Sequence, residues 1–197
     1  CVQKILSAAR TDATVAALMQ QKDEDDLSAL GHAVKGNFEE TALYLSNQPG
    51  AQPNEYFVDK TGEQVHLLMS ALNEEHGALA LRLIEAGADV NAKDSDGKSP
   101  LIMASTEGYT KIVRMLLEKG ADVNAKDNEN KTALIMANYN RHIHTIIVLK
   151  KDIRIKQLRE EILKIALIVK KGLTQKRNEL LVPYAQKEII HRIASFF

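Results

Sequence analysis

An eight-residue segment occurs twice in the chain at a fixed distance. GADVNAKD begins at Gly87 and again at Gly120, 33 residues later. Self-similarity at a period of roughly 20–50 residues is typical of solenoids, in which each unit buries its apolar face against its neighbours. The repeat therefore predicts an extended stack of similar units, each too small to form a core of its own.

Within one period, the order of residues predicts two short helices joined by turns. The segment DSDGKS is predicted to form a turn, in which Gly97 is free to take a positive φ angle. Ser99 can cap the next helix, and Pro100 stands at its first position, where the missing N–H costs nothing. Gly108 ends that helix, and TKIVRMLLEKG predicts a second helix that ends at Gly120. The unit is therefore turn, helix, helix and loop.

This unit closely resembles the ankyrin repeat. The family pattern D-x-x-G-x-T-P-L-H-x-A, then G, V-V-x-L-L-L and G-A-D-V-N-A, is matched by Asp94, Gly97, Ser99, Pro100, Leu101, Ala104, Gly108, Ile112, Val113, Leu116, Leu117, Gly120, Ala121, Asp122, Val123, Asn124 and Ala125. The next copy keeps Asp127 and Thr132, but Asn130 replaces the turn glycine and Ala133 the proline. The resemblance implies an all-α ankyrin-repeat solenoid of about four to five helix-turn-helix repeats with short hairpin-like loops.

Weaker copies extend the repeat toward the N terminus. The predicted organisation is an N-terminal capping helix pair at residues 1–26, a degenerate repeat at 27–58, repeats at 59–93, 94–126 and 127–152, and C-terminal helices at 153–197. The interval from Gly50 to Gly87 is 37 residues, four more than the period. We place this surplus in NEYFVDKTGEQ, which lengthens the loop before the helices of the 59–93 repeat.

The tail beyond residue 152 lacks the regular glycines of the repeats. Its apolar spacing predicts one helix over residues 153–172 and a second from Thr174 onward, interrupted at Pro183. We interpret the pair as a C-terminal helical cap that buries the end of the stack; a basic amphipathic helix on a membrane surface is the alternative. Residues 150–197 carry 12 Lys and Arg against 5 Asp and Glu, whereas residues 1–149 carry 14 against 21.

The last residues, LLVPYAQKEIIHRIASFF, are similar to the F-box-type motif that closes some ankyrin-repeat proteins of viruses and intracellular bacteria. That motif begins L-P-x-E-[IL], whereas Glu188 follows Pro183 by five residues in this chain. The similarity implies an alternative function, that of a ubiquitin-ligase adaptor of the host-directed effector type.

Sequence motifs for catalysis are absent. The chain has no phosphate-binding loop, nucleophile elbow or dinucleotide fingerprint. His142 and His144 are two residues apart and would point to different sides of a helix, and the acidic run at residues 23–26 is expected to be a solvated interhelical loop. The basic tail lacks interleaved aromatic residues. We therefore predict a protein that is not an enzyme, needs no cofactor or metal, and does not bind nucleic acid.

The resemblance also implies where a partner binds, because ankyrin stacks bind proteins along a concave groove formed by loop tips and first helices. Carried over by position, the predicted contacts are Glu63, Val65, Ser95, Asp96, Lys98, Asn128, Glu129 and Lys131 at the tips, and Asn73, Glu74, Thr106, Glu107, Tyr139 and Asn140 on the first helices. Tyr56 and Phe57 join them on the lengthened loop, since aromatic residues are enriched at binding hot spots. We expect Tyr56 to be exposed and leave Phe57 open. Several tips are acidic, which favours a partner with a basic patch.

These observations predict a protein-interaction module that binds its partner, and in one version inhibits or regulates it. The chain has no apolar run of roughly 18 residues, so no transmembrane segment is expected. A single cysteine excludes an internal disulfide and favours a reducing, cytoplasmic compartment. A periplasmic lipoprotein, with Cys1 as its lipidated mature terminus, and a secreted effector are the alternatives. We expect a monomer.

Overall fold

The computed structural model describes residues 12–24, 26–60, 62–74 and 76–174. In chain order the described elements are α1 (Asp12–Met19), α2 (Ala29–Lys35), α3 (Glu39–Ser46), β1 (Tyr56–Val58), β2 (Gln64–His66), α4 (Leu67–Asn73), α5 (Gly77–Glu85), α6 (Pro100–Thr106), α7 (Thr110–Glu118), α8 (Ala133–Tyr139) and α9 (Ile143–Thr174). The chain divides into two compact units, Cys1–Leu149 and Lys150–Phe197. Of the predicted N-terminal helix pair, α1 is described and the other helix falls in residues 1–11, outside the described residues.

The helices of the first unit pack in two rows. The first helices α2, α4, α6 and α8 contact one another in chain order, and the second helices α3, α5 and α7 do the same. Within each repeat the two helices also contact each other, as α4 does α5 and α6 does α7. This arrangement confirms the predicted all-α ankyrin-repeat solenoid.

Apolar side chains between the two rows form the core. They recur at spacings of three and four on the second helices, which places them on one helical face. The buried set includes Leu79, Ala80, Leu83 and Ile84 of α5 and Ile112, Val113 and Leu116 of α7. Burying a leucine side chain fully stabilises the fold by about 1.5–3 kcal/mol. Because these side chains are buried between helices of adjacent repeats, each repeat gains most of its stability from its neighbours.

Each first helix begins at a residue whose side chain accepts a hydrogen bond from the helix backbone. Ser99 Oγ accepts from the Ile102 N–H at 3.3 Å, which confirms the predicted cap, and Pro100 occupies the first turn. Ser28 and Thr132 cap α2 and α8 in the same way. In the lengthened repeat this position is occupied by His66, whose ring nitrogen accepts from the Leu68 N–H.

The same five-residue turn precedes the first helix in four successive repeats. In each, an aspartate carboxylate accepts a hydrogen bond from the N–H four residues later: Asp23 from Leu27 at 3.1 Å, Asp59 from Glu63 at 3.1 Å, Asp94 from Lys98 at 2.7 Å and Asp127 from Lys131 at 2.8 Å. The fourth residue of each turn has a positive φ angle, including 75° at Gly97 and 62° at Asn130, since asparagine tolerates this conformation. The acidic run at residues 23–26 lies between α1 and α2 and its described residues are exposed, as the interpretation as a solvated interhelical loop expects, and its geometry is that of a repeat turn.

The four surplus residues are divided equally between the two arms of one turn. In the arm before the turn, Gly50 precedes Asp59 by nine residues, whereas Gly87 precedes Asp94 by seven. In the arm after the turn, His66 follows Asp59 by seven residues, whereas Ser99 follows Asp94 by five. Each arm thus gains two residues, or about 6.6 Å of extended chain. Because two is the period of a strand, the insertion keeps every side chain on its original face. The arms form an antiparallel hairpin in which Tyr56 pairs with His66 and Phe57 with Val65.

The asparagine that ends the repeated segment GADVN connects each repeat to the next. In the earlier segment GAQPN, Asn54 holds the same position. The Asn54 side chain accepts a hydrogen bond from the Asp89 N–H at 2.6 Å and donates one to the Gly87 carbonyl at 3.2 Å. One repeat later, the Asn91 side chain accepts from the Asp122 N–H at 2.9 Å. The segment recurs because its asparagine supplies the same connection between successive repeats.

The last described helix, α9, differs from the predicted tail. We predicted a helix over residues 153–172, but α9 begins earlier, at Ile143, and is continuous over its 32 residues to Thr174. In earlier repeats the second helix ends at Gly87 or Gly120, with φ angles of 95° and 92°. The next position in the period is Ile153, a β-branched residue for which a positive φ is costly, so the helix continues. The predicted helix from Thr174 onward and the F-box-like segment lie outside the described residues.

Candidate functional site

A groove of about 530 Å³ lies where the lengthened hairpin and the next repeat meet. The hairpin, the C-terminal half of α4, the turn at residues 94–98 and the end of α6 form its sides, and α8 contributes Met136. The lining residues are Asp59, Glu63, Gln64, Val65, His66, Met69, Leu72, Asn73, Asp94, Ser95, Asp96, Lys98, Met103, Thr106, Glu107 and Met136. The groove therefore spans three consecutive repeats.

Half of the predicted contact residues line this groove. They are Glu63, Val65, Asn73, Ser95, Asp96, Lys98, Thr106 and Glu107. Two of the hydrogen bonds that join the turn tips involve Ser95: its hydroxyl donates to Glu63 Oε2 at 2.7 Å, and Asn128 donates through its side chain to the Ser95 carbonyl at 3.1 Å. The structure thus places these side chains together on neighbouring tips and first helices.

The other predicted contacts lie outside this groove. Glu74 lines an adjoining cleft of about 610 Å³, which shares Asp59, Val65 and Asn73 with the groove. Asn128, Glu129, Lys131, Tyr139 and Asn140 belong to the next repeat and do not line the groove. Asn140 donates through its side chain to the Thr106 carbonyl at 2.7 Å, so this residue connects two repeats.

The two aromatic residues of the hairpin lie on opposite faces of β1. Tyr56 is 46% exposed, as expected, and lines a separate cleft of about 590 Å³ beside Lys22 and Gln64. Phe57 is only 8% exposed, because the alternation of the strand turns its side chain toward the protein interior. Phe57 is therefore far less accessible than Tyr56, and its place in the partner-binding set stays a prediction.

The groove carries a strong excess of negative charge. Five of its lining residues are carboxylates, namely Asp59, Glu63, Asp94, Asp96 and Glu107, whereas Lys98 is the one lysine or arginine among them. The Lys98 ammonium pairs with Asp96 at 2.7 Å. The hydrogen bond that the Lys98 ammonium donates to the Asp96 carboxylate is the largest cause that raises the pKa of Lys98 above its usual value, and the charges of Asp96, Asp94 and Asp127 act in the same direction.

Methionine residues form part of the groove, and the sequence interpretation did not single them out. Met69 is buried, and Met103 and Met136 are half-buried. The chain has five methionines, and three of them line this one site. Their recurrence on three successive first helices was the signal that could have identified them. Methionine side chains are flexible and polarisable, which suits a surface that adapts to a partner.

His66 is buried at the hairpin end of the groove. Its side chain is 2% exposed, and its ring lies edge-on to that of Tyr56, with 4.9 Å between ring centroids. Because Nδ1 accepts the Leu68 N–H, the neutral ring carries its proton on Nε2, and this atom has no hydrogen-bond partner among the described residues. Burial lowers the pKa of His66 below its usual value of 6.5, and the Asp89 carboxylate opposes the shift less strongly.

Comparison with known proteins identifies the fold that presents this groove. Residues 67–159 match the family model for ankyrin repeats, in three copies. Residues 67–159 of the chain are therefore ankyrin repeats. Ankyrin repeats are in general protein–protein interaction modules, and proteins of this family are typically not enzymes. In this ankyrin-repeat protein, the matched region contains most of the groove, and the lengthened hairpin precedes it.

Two negative findings within the described residues concern metals and membranes. No group of three or more His, Cys, Asp or Glu side chains is placed to hold a metal ion within the described ranges. Among the helices described for this ankyrin-repeat protein, none combines the length and the apolar character required for a membrane span.

Proposed function

We propose that this ankyrin-repeat protein is a non-enzymatic interaction module that binds a partner protein through the groove between the hairpin and α6. The proposal rests on one observation, which is that exposed polar side chains from different repeats line the same groove. Exposed polar side chains from two successive turn tips, such as Glu63 and Ser95, and from two successive first helices, such as Asn73 and Glu107, line one groove. None of them belongs to the buried core, and the hydrogen bond between Ser95 and Glu63 lies at the exposed tips, so these side chains are accessible to a partner.

The partner is a protein with a basic patch. Five carboxylates surround the groove against one lysine, and charge complementarity speeds association and disfavours acidic competitors. A partner that covers both the groove and the adjoining cleft would contact Asn73 and Glu74 together. Whether occupation of the groove also inhibits the partner depends on which surface of the partner the groove covers, and an activity assay of the captured partner with and without this chain measures it.

A steric substitution in the groove tests this function. Asn73→Arg introduces a long side chain at the exposed end of α4, and Ala78→Arg introduces the same side chain on an exposed position of α5 outside the groove. Partners captured from the source cell on the immobilised wild-type chain should be lost on Asn73→Arg and retained on Ala78→Arg. Equal capture by all three proteins would show that the groove is not the binding surface.

A further inference from the structure

The carboxylates of the groove differ in how far the protein already satisfies them. Asp59 and Asp94 accept backbone hydrogen bonds within their turns, and Asp96 is paired with Lys98. Glu63 accepts one hydrogen bond from the Ser95 hydroxyl and has no cationic partner among the described residues. The Glu107 carboxylate is exposed at the end of α6, and it makes neither a hydrogen bond nor an ion pair to the described part of the chain. Glu63 and Glu107 are therefore the two carboxylates available to an incoming cation.

An apolar surface accompanies these carboxylates. Met103 and Met136 are half-buried, and both line the groove together with Glu107. A lysine or arginine side chain places its methylene groups on apolar surface while its charged end remains at a polar rim. Flexible thioether side chains adapt to such a stem without a fixed shape. The combination of thioethers and carboxylates thus matches a long basic side chain better than a compact cation.

The buried histidine adds an independent observation. His66 lines the groove, and its Nε2–H donor has no acceptor among the described residues. A buried donor without an acceptor costs about 1–3 kcal/mol, which an acceptor from a partner would recover. The main-chain carbonyl of an extended peptide is such an acceptor, whereas a metal cation is not. The groove therefore offers carboxylates to the side chains of a peptide, and a peptide carbonyl reaches the buried Nε2–H donor only when the groove wall beside His66 opens.

We infer that the partner enters the groove as an extended basic segment, with a lysine or arginine whose stem lies on Met103 and Met136 and whose charge lies between Glu63 and Glu107. This inference rests on the proposed function and specifies the partner's chemistry. Acidic, phosphorylated and nucleic-acid ligands are repelled by the same five carboxylates.

Selection from a library of random twelve-residue peptides tests the inference without knowledge of the partner. The enriched peptides should contain lysine or arginine, and a synthetic copy with each arginine replaced by neutral citrulline should no longer bind. Glu63→Gln/Glu107→Gln keeps the acceptor for Ser95 but removes two charges, and should weaken binding about five- to tenfold. Glu118→Gln, exposed on α7 outside the groove, is the matched control and should bind within roughly twofold of the wild type. Raising the salt concentration should weaken binding to the wild type more than to the double variant.

The outcomes separate this inference from the proposed function. Enriched peptides without basic residues that still lose binding on Asn73→Arg would overturn the inference and leave the groove as the binding site. Basic peptides that bind Glu63→Gln/Glu107→Gln as tightly as the wild type would also overturn it. Peptides that bind Asn73→Arg and Ala78→Arg equally well would contradict both proposals. Failure to enrich any peptide would count against an extended segment, while partner capture would still test the function.

Discussion

Two glycine positions with similar backbone angles should respond differently to alanine. Gly97 has a φ of 75° in the turn beside the groove, and Gly120 has a φ of 92° at the end of α7. A Cβ atom at Gly97 would lie 2.5 Å from Asn128 Oδ1 and 3.2 Å from the Asn128 backbone nitrogen, whereas a Cβ at Gly120 meets no heavy atom within 4 Å. The pair therefore separates backbone strain from a contact between repeats.

The expected magnitudes follow from these two effects. A non-glycine residue in the left-handed region costs about 1–2 kcal/mol, which applies to both substitutions. Gly97→Ala must also displace Asn128, whose side chain donates to the Ser95 carbonyl, and the loss of that hydrogen bond costs about 0.5–1.5 kcal/mol more. Backbone strain alone predicts the opposite order, because 92° lies further than 75° from the usual left-handed φ near about 57°. Gly97→Ala should therefore be less stable than Gly120→Ala by about 1 kcal/mol.

Urea unfolding of the single variants, followed by circular dichroism, measures this difference. If the same variants are unfolded by heat instead, a difference of about 1 kcal/mol corresponds to a shift of about 2–4 °C in Tm for a chain of this length. Asn128→Ala completes a double-mutant cycle, and the extra cost of Gly97→Ala should disappear in the Asn128→Ala background. Equal stabilities of Gly97→Ala and Gly120→Ala, or additive effects in the cycle, would refute the reasoning.

Three further predictions concern the core, the buried histidine and the hairpin. Leu83→Ala in the core should lower the free energy of unfolding by about 2–5 kcal/mol, whereas Leu163→Ala, at an exposed position of α9, should change it by less than about 0.5 kcal/mol in the same urea titration. Because the folded-state pKa of His66 lies below 6.5, the unfolded chain takes up its proton first. The contribution of His66 to stability should be complete above a pH of about 6.5 and be lost as the pH falls through its folded-state pKa. The variant His66→Ser keeps a capping oxygen but cannot take up this proton, so its Tm should fall less than that of the wild type between neutral and acidic pH. Tyr56→Ala should leave binding of a groove-selected peptide unchanged, since Tyr56 lines another cleft, and a loss of affinity comparable to that of Glu63→Gln/Glu107→Gln would extend the binding surface to that cleft.

The residues that form turns and caps could be interpreted from the sequence because their roles are local. Gly97 adopts the predicted positive φ angle, and Ser99 caps the predicted helix. The division of the surplus residues was not predicted, because it requires the positions of Asp59 and His66 relative to other repeats. The burial of Phe57 and the capping role of His66 depend on the same register. The face of the sheet on which a strand residue lies depends on how its strand pairs with the neighbouring strand. The amino-acid sequence of one loop does not reveal that pairing.

The amino-acid sequence by itself determined the repeating unit, the ankyrin-type stack and the places where each short helix begins. These features depend on residues a few positions apart, such as a cap and the amide that it accepts from. The tertiary structure alone decided that Glu63, Glu107 and Met136, from three different repeats, share one groove, and that Tyr56 does not belong to it. It also decided that α9 continues beyond the period. The physical reason is that a solenoid brings together residues about one period apart, and their relative orientation depends on how adjacent repeats pack.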